Sequence, residues 1–298
     1  MEKYIFGKLR REECIVSMPL IQLYVCCHQL TQVPTHPLLI PIQTGAALTA
    51  ERFPGFLVDN VGANISAKNR AYCELTAQYW AWKNAMADYY GFFHYRRFLY
   101  PDIHEKKPYR IEASPTIAIL EKLRYDRFTE CIEACDLIAP IGERIYRPVL
   151  EHYAAAPFHH GRDLERVREI VEERYPEFGS AMETYLTGTI CYFGNIYIMR
   201  RSVFEDYCAW LFHILDAFDR RTDMSGYSTQ ERRVDGYLAE RLFGIYYTYQ
   251  KQRQVLRMLE LPRVHFIPER IERRKKRLMN AVLPPGSHRR AVVKGLFM

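Results

Sequence analysis

DNVGANISAKNRAYCELTAQYWAWKNAMADYYGFFHYRRFL, residues 59–99, joins a polar loop, an aromatic-rich helix, a short apolar strand and a cationic strand end. Ser66 or Asn69 can cap the helix, because a short polar side chain accepts from the free N–H groups of a first turn. The spacing predicts one helix over about residues 70–86, with Leu75, Tyr79 and Trp82 on one face and Cys73, Trp80 and Asn84 near a second, buried on both sides. Tyr89 to Phe93 are apolar without interruption, as a central strand covered on both faces requires. His94, Arg96 and Arg97 follow at once, and charges at the carboxyl end of a central strand are where open α/β sheets hold ligands.

The flanking segments continue the alternation. IQLYVCCHQL (21–30) runs apolar through Cys26 and Cys27 and turns polar at His28. Pro34, Pro37 and Pro41 interrupt regular structure, and PIQTGAALT (41–49) is a small-residue loop. In it Gly45, two residues after Gln43, allows close approach of a ligand or another backbone. It is neither a G-x-G-x-x-G fingerprint nor a Walker A loop. Residues 114–134 are helical in pattern, and CDLIAP (135–140) is a short buried strand. A helix is expected from about Asp163 to Arg174, then two strand-like runs about Gly194-Asn195. An amphipathic helix over 202–221 would be capped by Ser202, and a further helix over 228–250 carries Arg233, Asp235, Glu240 and Arg241 on an otherwise apolar body. Strand alternating with helix predicts an α/β sheet flanked by helices.

The 298 residues, 48% hydrophobic and 26% charged, suffice for a sizeable core in a soluble globular protein. The 22 tyrosines serve either that core or a contact surface. A net charge of +7 favours anionic partners, but much of it lies after Pro268, so the body calls for no nucleic-acid partner. The eight cysteines include no C-x-x-C pair and read as reduced thiols rather than a zinc ribbon. MEKYIFGKLRREE lacks a signal-peptide core, and no apolar run is long enough for a membrane span. These features predict a cytoplasmic protein, or one peripheral at the inner membrane face.

His94-Tyr95-Arg96-Arg97 is the sharpest cluster. Strand alternation puts His94 and Arg96 on one face, Tyr95 and Arg97 on the other. An arginine there can hold a phosphate through two hydrogen bonds, and a histidine beside it can donate, accept or transfer a proton. The same residues would also suit an ion-paired strand end beside Glu74 or Asp88. Asp59, Asn60, Asn64, Ser66, Lys68 and Asn69 offer the fixed donors and acceptors that a ribose or hexose needs, or those of a capping turn. Glu74 reads as a base, a partner for Arg96 or a helix-terminal charge. His152, His159, His160 and Asp163 lack the spacing of a metallohydrolase helix and read instead as phosphate or sugar contacts. By type, His160 and Asp163 are candidate bases for an acceptor hydroxyl. No G-x-S-x-G, H-E-x-x-H or D-x-D occurs. Beyond Pro268, Ile271, Leu278, Met279 and Val282 oppose many cations, the pattern of a helix on an anionic membrane or of a solvated terminal helix.

The blocks PIQTGAAL, DNVGANISAKNRAYCELTAQYWAWKN, DYYGFFHYRRFL, EHYAAAPFHHGRDLERVREIVEERYPEF, GNIYIMRRSVFEDYCAWLFHILDAFDRR and SGYSTQERRVDGYLAERLF span about residues 21–265. Together they resemble an uncharacterised-domain family found among bacterial capsular and exopolysaccharide glycosyltransferases. The resemblance implies a GT-A-like nucleotide-binding fold: a central mixed, mostly parallel sheet flanked by helices, with a helical C-terminal part. It implies one such domain over residues 1–265 and a basic tail over 266–298. It further implies transfer of a sugar from a nucleotide-sugar, a UDP-sugar, to a growing capsular, exo- or lipopolysaccharide. The alternative is a non-catalytic scaffold that binds sugar nucleotide or polysaccharide. On this reading Cys27, His28, Gln43 and Gly45 hold the nucleotide, and Asp59, Asn60, Asn64 and Lys68 the ribose or donor sugar. His94, Arg96 and Arg97 stabilise the diphosphate, while His159, His160, Asp163, Asn195, Arg233 and Glu240 serve or brace the acceptor side. Many GT-A enzymes place a manganese-binding D-x-D where His94-Tyr95-Arg96-Arg97 stands here. No metal ligand is therefore assigned, manganese or magnesium is not expected to be required, and the arginines take over charge neutralisation.

Overall fold

The computed structural model describes residues 18–285, 287, 289, 290, 292 and 293; Cys14, the N-terminal segment and the rest of the basic tail lie outside them. The strands are β1 (Ile21–Cys27), β2 (Leu39–Gln43), β3 (Leu57–Val58), β4 (Tyr89–His94), β5 (Arg97–Leu99), β6 (Tyr109–Glu112), β7 (Leu137–Pro140), β8 (Glu143–Arg144), β9 (Ile190–Cys191), β10 (Tyr197–Arg200), β11 (Met258–Leu261) and β12 (Arg263–Phe266). The helices are α1 (Asn69–Tyr72), α2 (Leu75–Asn84), α3 (Ile117–Lys122), α4 (Phe128–Glu133), α5 (Val149–Ala155), α6 (Gly161–Arg174), α7 (Gly179–Thr187), α8 (Arg201–Arg221), α9 (Val234–Arg253) and α10 (Arg270–Val282).

The main sheet runs β11-β7-β10-β4-β1-β2-β3. Its pairs are parallel except where β10 lies antiparallel between β4 and β7. The short β5 turns back on β4 and pairs antiparallel with β12, which is parallel to β6. This is the α/β sheet flanked by helices that the alternation predicts, with the mixed, mostly parallel pairing that the family resemblance implies.

Strand alternation divides the core between the two sheet faces. Tyr24, Cys26, Tyr90, Phe92, Tyr197 and Met199 pack on one face under the long helices α8 and α9. Leu23, Val25, Cys27, Phe93, Ile138 and Ile198 pack on the other, with Leu120 and Phe128 of α3 and α4. Many tyrosines are core rather than surface: Tyr90 stacks on Phe204 at 4.5 Å, and Tyr197 on Phe243 at 5.4 Å. Burial of such rings, worth about 1.5–3 kcal/mol for a large side chain, fixes the sheet against α8 and α9.

Local structure departs from the pattern at three points. The helix read over 70–86 is two helices, broken at Cys73, which takes φ 50° and ψ −130°. The helical run 114–134 is also broken, where Arg124 adopts the left-handed φ of 59°. Ser202 does not cap α8, which begins at Arg201 with Arg200 in the cap position.

Candidate active site

A cleft of about 380 Å³ opens at the carboxyl ends of the parallel strands. Cys26 and His28 come from the end of β1, Thr44 follows β2, and His94 and Arg96 end β4. Asn69, Arg70, Cys73 and Glu74 come from α1 and its break, and Thr229, Gln230 and Arg233 precede α9.

The break at Cys73 builds one wall. Its backbone lies where a residue with a Cβ is strained, at a cost on the order of 1–3 kcal/mol. The Cys73 N–H donates to the Asn69 carbonyl at 2.8 Å, and Asn69 Nδ2 donates to the Cys73 carbonyl at 2.6 Å. The chain restarts as α2 with Glu74 at its N-terminus, lining the cleft. Asn195, itself at φ 48°, donates Nδ2 to Glu74 Oε1 at 2.7 Å and to the Gly236 carbonyl at 3.1 Å. Burial raises the Glu74 carboxyl above the usual glutamate range, and the Asn195 hydrogen bond opposes that shift.

Among the described residues Glu74 is the one carboxylate in the lining, which it shares with Arg70, Arg96 and Arg233. None of the three arginines forms an ion pair among the described residues. The Arg96 guanidinium is exposed and lies 5.1 Å from the Tyr95 ring centre, and Arg233 Nε donates to Cys73 Sγ at 3.4 Å. The backbone N–H of Arg96 donates to His94 Nδ1 at 3.2 Å, so the neutral ring carries its proton on Nε2. Burial, then Arg97 and Arg96, lower the His94 pKa to about 3. At neutral pH His94 is an uncharged donor. His28 is likewise pushed down, by burial and then by Arg96 and Arg233.

His28, His94, Arg96 and Arg233 thus come together with Asn69 and Glu74, whereas most of the other sequence candidates lie outside the lining. Arg97 is half-buried behind the cleft; a Cβ built on Gly194 would lie 3.7 Å from its guanidinium. Asp59 is fully buried and accepts from the N–H groups of Gly45 and Ala46 at 2.7 and 3.0 Å and from the hydroxyls of Ser66 and Thr76 at 2.5 and 2.6 Å. Its acceptors are spent holding the 44–48 loop, so it contributes shape rather than a ligand contact. Gln43 is buried and braces the same loop, donating to the Glu51 carbonyl at 2.9 Å. Cys27 faces the opposite core. Asn64 closes its own turn onto Gly62, Asn60 is outside the cleft lining, and Lys68 pairs with Asp219 at 2.8 Å.

Apart from Arg233, the acceptor-side candidates lie outside the lining and have partners within the fold. His159 stacks on Tyr237 at 4.1 Å, and His160 Nε2 lies 3.2 Å from Glu231. Asp163 is buried, accepts from the Tyr227 hydroxyl at 2.6 Å and has its pKa raised by burial. Asn195 positions Glu74, and Glu240 accepts from the Gly194 N–H at 2.6 Å and from Arg241 at 3.1 Å. Thr44 lies in the small-residue loop 41–49 that the sequence singles out, whereas Thr229 and Gln230 had no local signal, because a fold-level meeting of distant segments places them. Glu74 was ambiguous because a non-glycine break at residue 73 is not legible in helical spacing. Among the described residues no group of three or more His, Cys, Asp or Glu side chains could hold a metal ion.

The fold and cleft define a class: a GT-A-like α/β protein with a cationic cleft at its strand ends. The structure of a bifunctional glycosyltransferase, WbbM, in its apo form superposes with a TM-score of 0.78 at 32% identity, covering 83% of this chain and 45% of that one. The present chain therefore spans less than half the length of that neighbour. No protein of curated function matches it. Residues 22–252 match a family described as a domain of unknown function, DUF4422, and the chain belongs to that family.

Proposed function

We propose that the chain transfers a glycosyl group from a UDP-sugar to a hydroxyl of a capsular, exo- or lipopolysaccharide, with the donor bound in the 380 Å³ cleft. One observation carries the reading: among the described residues, three arginines without ion pairs share that cleft with a single carboxylate. Such a site suits a diphosphate, since each charge-assisted hydrogen bond contributes about 1.5–3 kcal/mol. Arg96 and Arg233 hold the charge that develops on the leaving diphosphate, and neutral His94 donates Nε2–H to it. The acceptor oxygen forms its bond to the anomeric carbon as the bond from that carbon to the β-phosphate oxygen breaks. The electron pair leaves with UDP, and the hydroxyl proton passes to Glu74, whose raised pKa suits a base. Transfer proceeds without a metal ion.

The exposed stripe Ile271, Leu278 and Val282 on α10, flanked by Arg270 and Arg274, would rest on an anionic membrane and hold the cleft near a lipid-linked acceptor. No helix among the described residues is long and apolar enough to cross a membrane. The test is a panel of UDP-sugars with an oligosaccharide acceptor, read by mass spectrometry of the products. Transfer from a UDP-sugar supports the reading. UDP binding with no turnover across the panel supports a scaffold instead, and neither binding nor turnover overturns both.

A further inference from the structure

A second cavity, of about 270 Å³, lies on the other side of Arg96. Arg96 lines both cavities, and the consecutive residues His28 and Gln29 divide between them. Two backbone bonds fix the walls: Phe266 N–H donates to the Arg96 carbonyl at 2.9 Å, and Ile267 N–H donates to the Glu112 carbonyl at 2.9 Å. The cavity is therefore built by the β4–β5 turn and the ends of β6 and β12, which pair in register.

Its chemistry differs from that of the first cleft. Gln29, Gln32, Thr31 and Ser114 supply neutral amides and hydroxyls, Glu269 adds one carboxylate, and Phe266 supplies apolar surface. The side chains of these five polar residues form no hydrogen bond among the described residues, although all line one cavity. Unpaired neutral donors and acceptors, set on separate segments around an apolar patch, match a ring bearing hydroxyls along its rim. A phosphate would meet the Glu269 charge, with Arg96 the only cation in the wall among the described residues. The volume falls just under the roughly 300–1,000 Å³ of drug-sized sites, which suits a single ring.

Resting on the transferase reading, we infer that this second cavity is the acceptor subsite and binds a neutral glycosyl unit whose hydroxyl approaches the donor past Arg96. The acceptor oxygen must come within about 3–3.5 Å of the anomeric carbon, so a second substrate has to reach into the donor cleft from an adjoining space, and this cavity adjoins it at Arg96.

The experiment is saturation-transfer difference NMR of the full chain with a panel of methyl hexopyranosides, repeated with saturating UDP. At least one glycoside should give signal, and UDP should leave that signal in place. Ser114→Trp, which fills the cavity, should abolish it, and Gln32→Ala should weaken the glycoside at least several-fold. Both variants should keep wild-type UDP affinity, which also reports that they fold. Displacement of the glycoside by UDP, a signal unchanged in both variants, weakened UDP binding in a folded Gln32→Ala, or no glycoside bound at all would each overturn the subsite. Glycoside binding that survives while UDP fails to bind would instead overturn the donor assignment of the first cleft and leave this cavity a sugar site.

Discussion

Glu74 sits at the meeting of strain and charge. The Cys73 backbone turns it into the cleft, Asn195 fixes Oε1 at 2.7 Å, and burial raises its pKa. Glu74→Gln keeps the shape and removes the base. Turnover in the UDP-sugar assay should fall by about 10²–10⁴-fold, with UDP affinity by calorimetry unchanged; an unchanged kcat would remove Glu74 from the chemistry. His94 makes a second prediction, about stability. Its folded pKa is about 3 against an ordinary 6.5, so between those values the unfolded chain binds more protons than the folded one. Stability contributed by the neutral ring is therefore lost as pH falls through that window. Urea midpoints for wild type should drop on acidification from above pH 6.5 into the window, and His94→Asn should drop less. Equal drops would mean the ring is not held neutral by its surroundings.

At the scale of elements, the 44–48 loop shows what the sequence hid. Asp59 looks like a sugar ligand in a loop of polar side chains, yet tertiary structure closes β3 against β2 and draws the carboxylate under Gly45 and Ala46. Asp59→Ala should cost about 3 kcal/mol in chemical denaturation, since buried donors left unpaired cost about 1–3 kcal/mol each; a cost near zero would mean the loop stands without it. Gly45→Ala tests the same packing from above. Gly45 has φ 70°, and an added Cβ would lie 2.7 Å from the Asn69 side chain, which is already bonded to Cys73 and Thr76. The left-handed backbone alone costs a residue with a Cβ about 1–2 kcal/mol, so a folded, unshifted Gly45→Ala would contradict the packing. By contrast, the apolar run 89–93 and the charges after it were legible, because a buried central strand and a strand-end ligand site both leave local signatures. His94 and Arg96 do share a cleft, while Arg97 begins the return strand and turns behind it.

Across the whole molecule, the alternation of strand and helix, the amphipathic helix α8 and the largely apolar helix α9 were readable from the residue pattern. The antiparallel insertion of β10 was not, because neighbour choice in a sheet is set by long-range pairing. The same limit hid the cleft's far wall: residues 229–233 reach Glu74 only through the docking of α9 on α1. The α10 helix buries none of its residues, and Ile271, Leu278 and Val282 stay 66–69% exposed. Leu278→Asp with Val282→Asp should abolish co-sedimentation with anionic vesicles while leaving UDP binding intact; equal sedimentation would free α10 of a membrane role. The central claim is that Arg96 and its neighbours form a diphosphate site that needs no metal. It is tested most directly by calorimetry of UDP against wild type and Arg96→Ala, each with chelator and with manganese. The account predicts that wild type binds UDP equally with chelator and with manganese, and that Arg96→Ala binds about 10-fold or more weakly, the loss of one charge-assisted contact. UDP binding that appears only with manganese, or full affinity in Arg96→Ala, would contradict it.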